Sequence, residues 1–312
     1  MTTHVLAIDV GNSRIKLGLL ERVRGSRSLP RCADVQAVPH DASTCREALR
    51  AYRKVLGDSS AIGVVAGVNS QAVQLVLDAW PRDQWPAPLV LEDPSPLPID
   101  IRVDEPRKVG IDRVLNAVAA NVVRPAGRPA VIVDCGTATT VDAVSAAGAF
   151  EGGAILAGLE LAARSLHEYT ARLPLVSMDE LATGAPDAIG RHTRAAIASG
   201  VVWGQVGAIR ELVARVSDAL AGVSSLDGGS GDAGRSGTPS KRGADGVDLR
   251  PTERGGDGVE LRPAGRPVVF LTGGGASVIA PHLPDARVEL WLALQGLALV
   301  AFAASDRRAG GG

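Results

Sequence analysis

Two stretches of this chain drive an apolar run into an aspartate, then a glycine, then a small polar residue. They are "LAIDVGNSRIKLGLL" at residues 6–20 and "PAVIVDCGTATTVDAV" at residues 129–144. In each, the glycine lets the backbone come close to a ligand, and successive N–H groups can face an anion. The aspartate, Asp9 or Asp134, can hold a cation beside that anion. One such turn alone is equally well a hairpin whose aspartate caps its own backbone. The same turn at the end of two core strands points instead to a phosphate-and-metal site built twice. Lys16, on the strand that leaves the first turn, faces either solvent or a phosphate. A third glycine turn, "LTGGGAS" at 271–277, suits a surface for adenine and ribose, and it has neither the dinucleotide fingerprint nor the Walker spacing.

Strand and helix signals alternate along the chain, as in an α/β protein. Residues 4–10 and 15–20 read as a hairpin, 60–68 as a buried strand and 71–80 as a short helix. "GIDRVLNAVAANVV" (110–123) places apolar residues at 114, 115, 118, 119, 122 and 123, one face of a helix. A strand opens 129–144, helices follow at 158–170 and 194–221, and 266–277 is a late strand ending in glycines. The repeat of the aspartate turn predicts two lobes, 1–125 and 126–312.

The chain has 312 residues, 46% hydrophobic and 21% charged, with a formal net charge of −1. That balance gives no electrostatic reason to expect nucleic acid or a membrane surface as partner. Asp9 cuts the first apolar run short, and no apolar stretch reaches the ~20 residues that span a bilayer, so a cytoplasmic location is expected. Cys32, Cys45 and Cys135 are too scattered for a disulfide framework or a zinc site. Residues 224–265 are rich in Gly, Ser, Asp and Arg, and "GVDLRP" (246–251) recurs there as "GVELRP" (258–263). This composition predicts a disordered insertion carrying a local duplication.

The two D-x-G turns and the downstream GGG turn resemble the superfamily of sugar kinases, actin and heat-shock chaperone ATPases. More closely, "DVGNSRIKLG" (9–18), "GIDR" (110–113), "DCGTATTVD" (134–142), "GGAILAGL" (152–159) and "TARLP" (170–174) resemble, in order and at matching distances, type III pantothenate kinase. This family is also called the Bvg accessory factor family. The resemblance implies a two-lobed actin-like ATPase or sugar kinase fold made of duplicated ribonuclease H-like domains. It implies phosphorylation of pantothenate by ATP, the first step of coenzyme A synthesis, in a homodimer. A kinase of the same fold acting on another small hydroxylated substrate, such as an amino sugar, and a nucleotide-binding regulator without turnover are the alternatives.

The resemblance also assigns residues. Asp9, Val10, Gly11, Asn12, Ser13, Arg14, Ile15 and Lys16 bind ATP, with Thr137 as a further nucleotide contact. Asp134 binds a monovalent cation, potassium or ammonium, and Mg2+ accompanies the nucleotide near Asp9. Gly110, Ile111, Asp112 and Arg113 bind pantothenate, Asp112 being the proton acceptor, and Thr193 touches the substrate. Physical sense supports the dipeptide: Arg113 can take a carboxylate in a two-pronged grip, and the helix start favours ionised Asp112. Asp112 as a mere helix cap and Arg113 as a surface charge remain the alternative. The sequence departs from the family pattern at Val103, where an aromatic residue is usual, at Ser13, which replaces a threonine, and at His192, which replaces a small polar residue.

Deletion of residues 224–265, with a short Gly-Ser bridge from Val223 to Arg266, should leave a folded, active protein. Loop-closure entropy changes by only ~0.6 kcal/mol per doubling of loop length. Melting and ATP turnover of the deleted protein check this; loss of turnover in a cooperatively melting protein assigns the segment a role.

Overall fold

The computed structural model describes residues 2–23, 28–56, 61–223 and 265–310; most of the segment expected to be an insertion lies outside them. The elements are β1 (Thr2–Val10), β2 (Ile15–Val23), β3 (Arg31–Val38), α1 (Ala42–Leu56), β4 (Ala61–Gly67), α2 (Ser70–Ala79), β5 (Leu89–Leu91) and α3 (Ile111–Val123). After them come β6 (Ala130–Cys135), β7 (Ala138–Val144), β8 (Phe150–Ala157), α4 (Leu159–Glu168), the single turn α5 (Met178–Leu181) and α6 (Thr193–Val223). The chain closes with β9 (Val268–Thr272), the short α7 (Ala276–Ile279), β10 (Arg287–Val288) and α8 (Leu292–Gly310).

One topology is used twice. The first sheet has the order β3-β2-β1-β4-β5 and the second, read from its far edge, β8-β7-β6-β9-β10. In each, three antiparallel strands are followed by two parallel ones. β6 therefore stands for β1 and β9 for β4, the duplicated arrangement of the actin-like ATPase fold. The register keeps the equivalence: Asp9 lies beside Ala66 of β4, and Asp134 beside Thr272 of β9.

The central strands are buried on both faces, and so read as nearly continuous apolar runs. Strand alternation decides where their aspartates point. In β1, Val5 and Ala7 face a core shared with α3 and α8, while Leu6, Ile8 and Val10 face α1 and α2. Asp9 has the parity of the first set. In β6, Ala130 and Ile132 face a core that contains Ala117, Ala119 and Ala120 of α3, and Val131 and Val133 face α4 and α6. Asp134 has the parity of the α3-facing set. Both carboxylates thus look toward one helix. α3 lies between the lobes, with Ile111, Val114, Leu115 and Val118 in the first core and its alanines in the second.

The division at residue 125 needs one correction. α8, assigned to the second lobe by chain order, packs against β1, β4 and α3, with Leu294, Leu297, Ala298 and Phe302 in the core of the first sheet. Arg22 of β2 anchors it, bonding Asp306 at 2.7 Å and covering the Phe302 ring at 4.4 Å. The physical reason is that the α3-facing side of the first sheet is apolar, and α3 together with Leu97, Ile99 and Ile101 leaves part of it for α8 to cover.

α3 and α8 approach so closely at Gly296 that a Cβ there would collide with the backbone carbonyl of Leu115. Gly296→Ala gains about 1 kcal/mol of helix propensity, but a rigid backbone atom cannot give way. Overpacking of this kind costs about 1–3 kcal/mol. The variant should unfold at lower denaturant concentration than the parent; an unchanged or higher midpoint would show that the two helices have slack.

Candidate active site

The two turns meet. Gly11 N–H bonds Arg14 O at 3.1 Å and closes the β1-β2 turn; Gly136 N–H bonds Ala138 O at 3.1 Å and closes the β6-β7 turn. Their tips touch through the hydroxyls of Ser13 and Thr137, 2.8 Å apart. Asn12, Ser13, Arg14 and Thr137 are exposed, so a ligand can reach both tips from the open side. Glycines make room behind the second turn. Gly158 N–H bonds Thr137 O at 3.0 Å, and Gly275 N–H bonds Cys135 O at 2.8 Å. A Cβ at Gly158 would strike the backbone of Gly136 and Thr137. Gly273, at φ +89, would strike Asp134 Oδ1 if it carried one, so the late glycine turn is tucked under the second aspartate.

Beneath the tips lies a small cleft of about 10 Å3, lined among others by Asp9, Lys16, Asn116, Asp134, Thr272 and Gly273. Lys16, the cross-strand partner of Asp9, turns into it, with Nζ 3.6 Å from Asp9 Oδ2. Of the two orientations open to Lys16 in the sequence, the structure takes the inward one. Burial pushes the Asp9 carboxyl above its ordinary range, Lys16 draws it back, and Asp134 pushes it up again. Burial disfavours the Lys16 ammonium, but Asp9, Asp134 and Asp112 outweigh it and hold its pKa above the usual value.

Asp112 occupies the first turn of α3 and accepts a hydrogen bond from Arg113 N–H at 2.9 Å. A Cβ at Gly110 would come to 2.7 Å of its Oδ1, so glycine keeps this carboxylate uncovered. Burial, then the charges of Asp9 and Asp134, push the Asp112 carboxyl up to about 6. It is a base that still holds its proton in mild acid.

Arg113 is not free as expected. Its Nε and Nη2 both donate to Asp142 Oδ1, at 3.0 and 2.5 Å, and its guanidinium lies 5.5 Å from the Phe150 ring centre. Asp142, in β7, is fully buried and also accepts from Thr140 Oγ1 at 2.8 Å. The fork imagined for a substrate carboxylate is thus taken by Asp142, which leaves the Nη1 edge to a ligand. Thr193 lies elsewhere: it opens α6, is exposed and does not line the cleft. Its neighbours Arg191 and His192 line a separate cavity of about 450 Å3 between α5 and α6, and that larger cavity contains none of Asp9, Asp112 or Asp134. Val103 packs beside Gly152, so the position where the family pattern has an aromatic residue is next to β8 and not in the cleft lining.

Two residues of the site are absent from the sequence-based set. Asn116 Nδ2 donates to Asp134 Oδ2 at 2.8 Å, and Asp142 holds Arg113. Each has a signal in the sequence: Asn116 stands four residues after Asp112, on the same helical face, and interrupts an apolar stripe. Asp142 stands two residues from Thr140, the cross-strand partner of Asp134, and so shares its face.

The donors fit the groups expected here. Among the described residues no three His, Cys, Asp or Glu side chains converge as a metal cage. A divalent ion would therefore take one carboxylate plus phosphate oxygens, the usual manner of nucleotide-bound Mg2+, and Asp9 supplies a hard oxygen at the right strand end. Beside Asp134, Asn116 Oδ1 is buried without a partner, and an orphaned oxygen next to a carboxylate suits a cation.

A family model for type III pantothenate kinase matches residues 5–215. A type III pantothenate kinase of Rubrobacter xylanophilus is 36% identical over 229 residues, spanning 72% of this chain and 83% of that protein. One from Caulobacter vibrioides is 43% identical over 129 residues, 41% of this chain and only 48% of that protein. Among solved structures, one from Campylobacter jejuni described as a Baf family transcriptional activator covers 97% of this chain and 100% of its own at a TM-score of 0.52 and 14% identity, a likeness of fold alone. With matching turns, matching topology and a family model spanning both aspartates, the chain belongs to the type III pantothenate kinase family, which phosphorylates pantothenate with ATP at the first step of coenzyme A biosynthesis.

Proposed function

We propose that, in this reaction, the residues of the cleft divide the work between a nucleotide side and an acceptor side joined by α3. The observation that carries the reading is the half-buried Asp112, at the start of α3 and within electrostatic reach of Asp9 and Asp134, the aspartates of the two turns. The backbone of Asp9 to Lys16 and the Thr137 hydroxyl hold the ATP phosphates between the lobes, and Lys16 draws the transferring group. Asp9 would help hold the Mg2+ that accompanies the nucleotide, and the ion would supply positive charge to offset the phosphates. Asp134 holds a monovalent cation, potassium or ammonium, without which its carboxylate would repel the phosphates. Gly110, Ile111 and Arg113 seat pantothenate, with its carboxylate on the Nη1 edge of Arg113. Asp112 accepts the proton of the 4′-hydroxyl as the oxygen attacks the γ-phosphorus and the bond to ADP breaks.

A homodimer and a cytoplasmic location belong to the same reading. Ile155 in β8, Tyr169 just after α4 and Ile189 in the segment before α6 are 62%, 85% and 79% exposed, large apolar side chains of the second lobe that a second copy would cover. Thr193, on that lobe, would then meet substrate near the junction. Among the described residues no helix is long and apolar enough to cross a membrane.

Asp112 must be ionised to act, so kcat/KM should climb with pH through about 6 and level off above it. Asp112→Asn should lower kcat by roughly 10²–10⁴ with pantothenate still bound. The same burial has a cost to stability, and its sign is fixed. A carboxyl whose pKa is higher folded than unfolded favours the native state at low pH, and that contribution is lost as pH rises through the folded value. Asp112→Asn should therefore melt higher than the parent at pH 8, by at most about 3 kcal/mol for a shift of that size, with no gain at pH 4. Equal turnover, or a stability gain independent of pH, would remove Asp112 from the role of base.

Arg113→Ala should do more than raise KM for pantothenate. It leaves Asp142 buried and unpaired, which costs about 3–5 kcal/mol. Adding Asp142→Asn should recover much of the stability and none of the pantothenate affinity. Denaturation midpoints and KM of the single and double variants separate the two roles; recovery of KM in the double variant would show that Arg113 does not meet the substrate.

A further inference from the structure

Asn116 is 1% exposed in the middle of an apolar helix, where a polar side chain is retained only if its groups are paired. One half of its amide is accounted for. Nδ2 donates to Asp134 Oδ2 at 2.8 Å, and this bond settles the amide orientation, because the flipped amide would set oxygen against carboxylate. The other half is not, since Oδ1 is buried and has no hydrogen-bond partner. The cavity that Asn116 lines with Asp9, Lys16, Asp134, Thr272 and Gly273 has about 10 Å3, room for one sphere the size of a water molecule. Potassium and ammonium are close to that size.

We propose that Asn116 is the second side-chain ligand of the monovalent cation at Asp134, giving Oδ1 to the ion while Nδ2 fixes the carboxylate that shares it. The inference rests on the cation reading of Asp134. Lys16 Nζ lies 3.6 Å from Asp9 and offsets that carboxylate, so Asp134 and one neutral amide oxygen remain as a hard donor set of low charge, suited to a singly charged ion. Thr272 belongs to the wall as well, and Gly273 is the position where a Cβ would strike Asp134 Oδ1. Asn116 lies one helical turn after Asp112, so a single helix would carry the proton acceptor and a cation ligand, and loading of the cation would stiffen the element that positions the base.

The test reads binding rather than turnover. Melting temperatures of the full chain, with and without a non-hydrolysable ATP analogue, are followed as potassium or ammonium chloride replaces tetramethylammonium chloride at constant ionic strength. The parent should be stabilised with saturation and Asp134→Asn should not respond. Asn116→Ala should need roughly 10–100-fold more cation, the usual loss when a residue that supports a metal site is removed. Asn116→Asp, which keeps an oxygen at the site and adds charge, should bind the cation at least as tightly as the parent. That variant also decides the matter if Asn116→Ala fails to fold. A parent that does not respond would overturn the cation reading of Asp134 together with this one. A parent that responds, an Asp134→Asn variant that does not, and Asn116 variants with the parent's half-saturation would leave Asp134 in place and show Asn116 to be only a donor to it. Weaker cation binding in Asn116→Asp would say the same, because two carboxylates would then repel without a shared ion.

Discussion

Asp9, Asp112 and Asp134 are brought within electrostatic reach of one another, with Lys16 among them. Like charges so placed cannot all be ionised in a low-dielectric cleft unless cations stand between them. That constraint organises the rest. Lys16 turns inward against the tendency of a strand lysine to seek solvent, and the Asp112 carboxyl rises to about 6. A further donor, Asn116, is spent on holding Asp134 in one orientation. Each feature lowers repulsion in a cleft that a polyanionic nucleotide would make still more negative.

α3 is the element that makes the arrangement rigid. Its apolar residues belong to two cores, one under each sheet, so neither lobe can shift without disturbing it. Asp112 stands in its first turn, Arg113 is pinned to β7 and Asn116 is pinned to β6. Two contacts from one helix therefore fix Asp112 relative to the aspartate turn of the other lobe. Phosphoryl transfer through a loose transition state asks mainly for positioning, and this is the kind of support that supplies it.

Much of this was legible in the residues. The two aspartate turns, the helix at 110–123 and the strand at 266–277 follow from period and from glycine placement, which are local properties. The lobes' duplication follows from the repeat of a single turn. What was not legible depends on pairing across the fold. Nothing local says that α8 returns to the first sheet; its residues are apolar on most sides, and such a helix fits any uncovered face. Asn116 and Asp142 look like interruptions of apolar patterns until their partners, 18 and 29 residues away in sequence, are placed beside them. Thr193 is the reverse case, carried over from the family pattern to an exposed helix start that does not line the cleft.

Arg113 shows why a charged residue in a motif should not be given to the ligand before its protein partners are counted. A free arginine beside a substrate pocket would sample many rotamers, and each substrate would have to order it at a cost in affinity. Asp142 removes that freedom in advance, because two donors from one side of the guanidinium fix its plane, with the Phe150 ring alongside. Fixing the plane also fixes the direction of the remaining Nη1 group, so any ligand it met would be met in one geometry only. The same bond makes Arg113 part of the fold, since Asp142 has no exposure and no other cation among its hydrogen-bond partners. The motif "GIDR" thus combines a carboxyl raised by burial and crowding with an arginine tied into the fold.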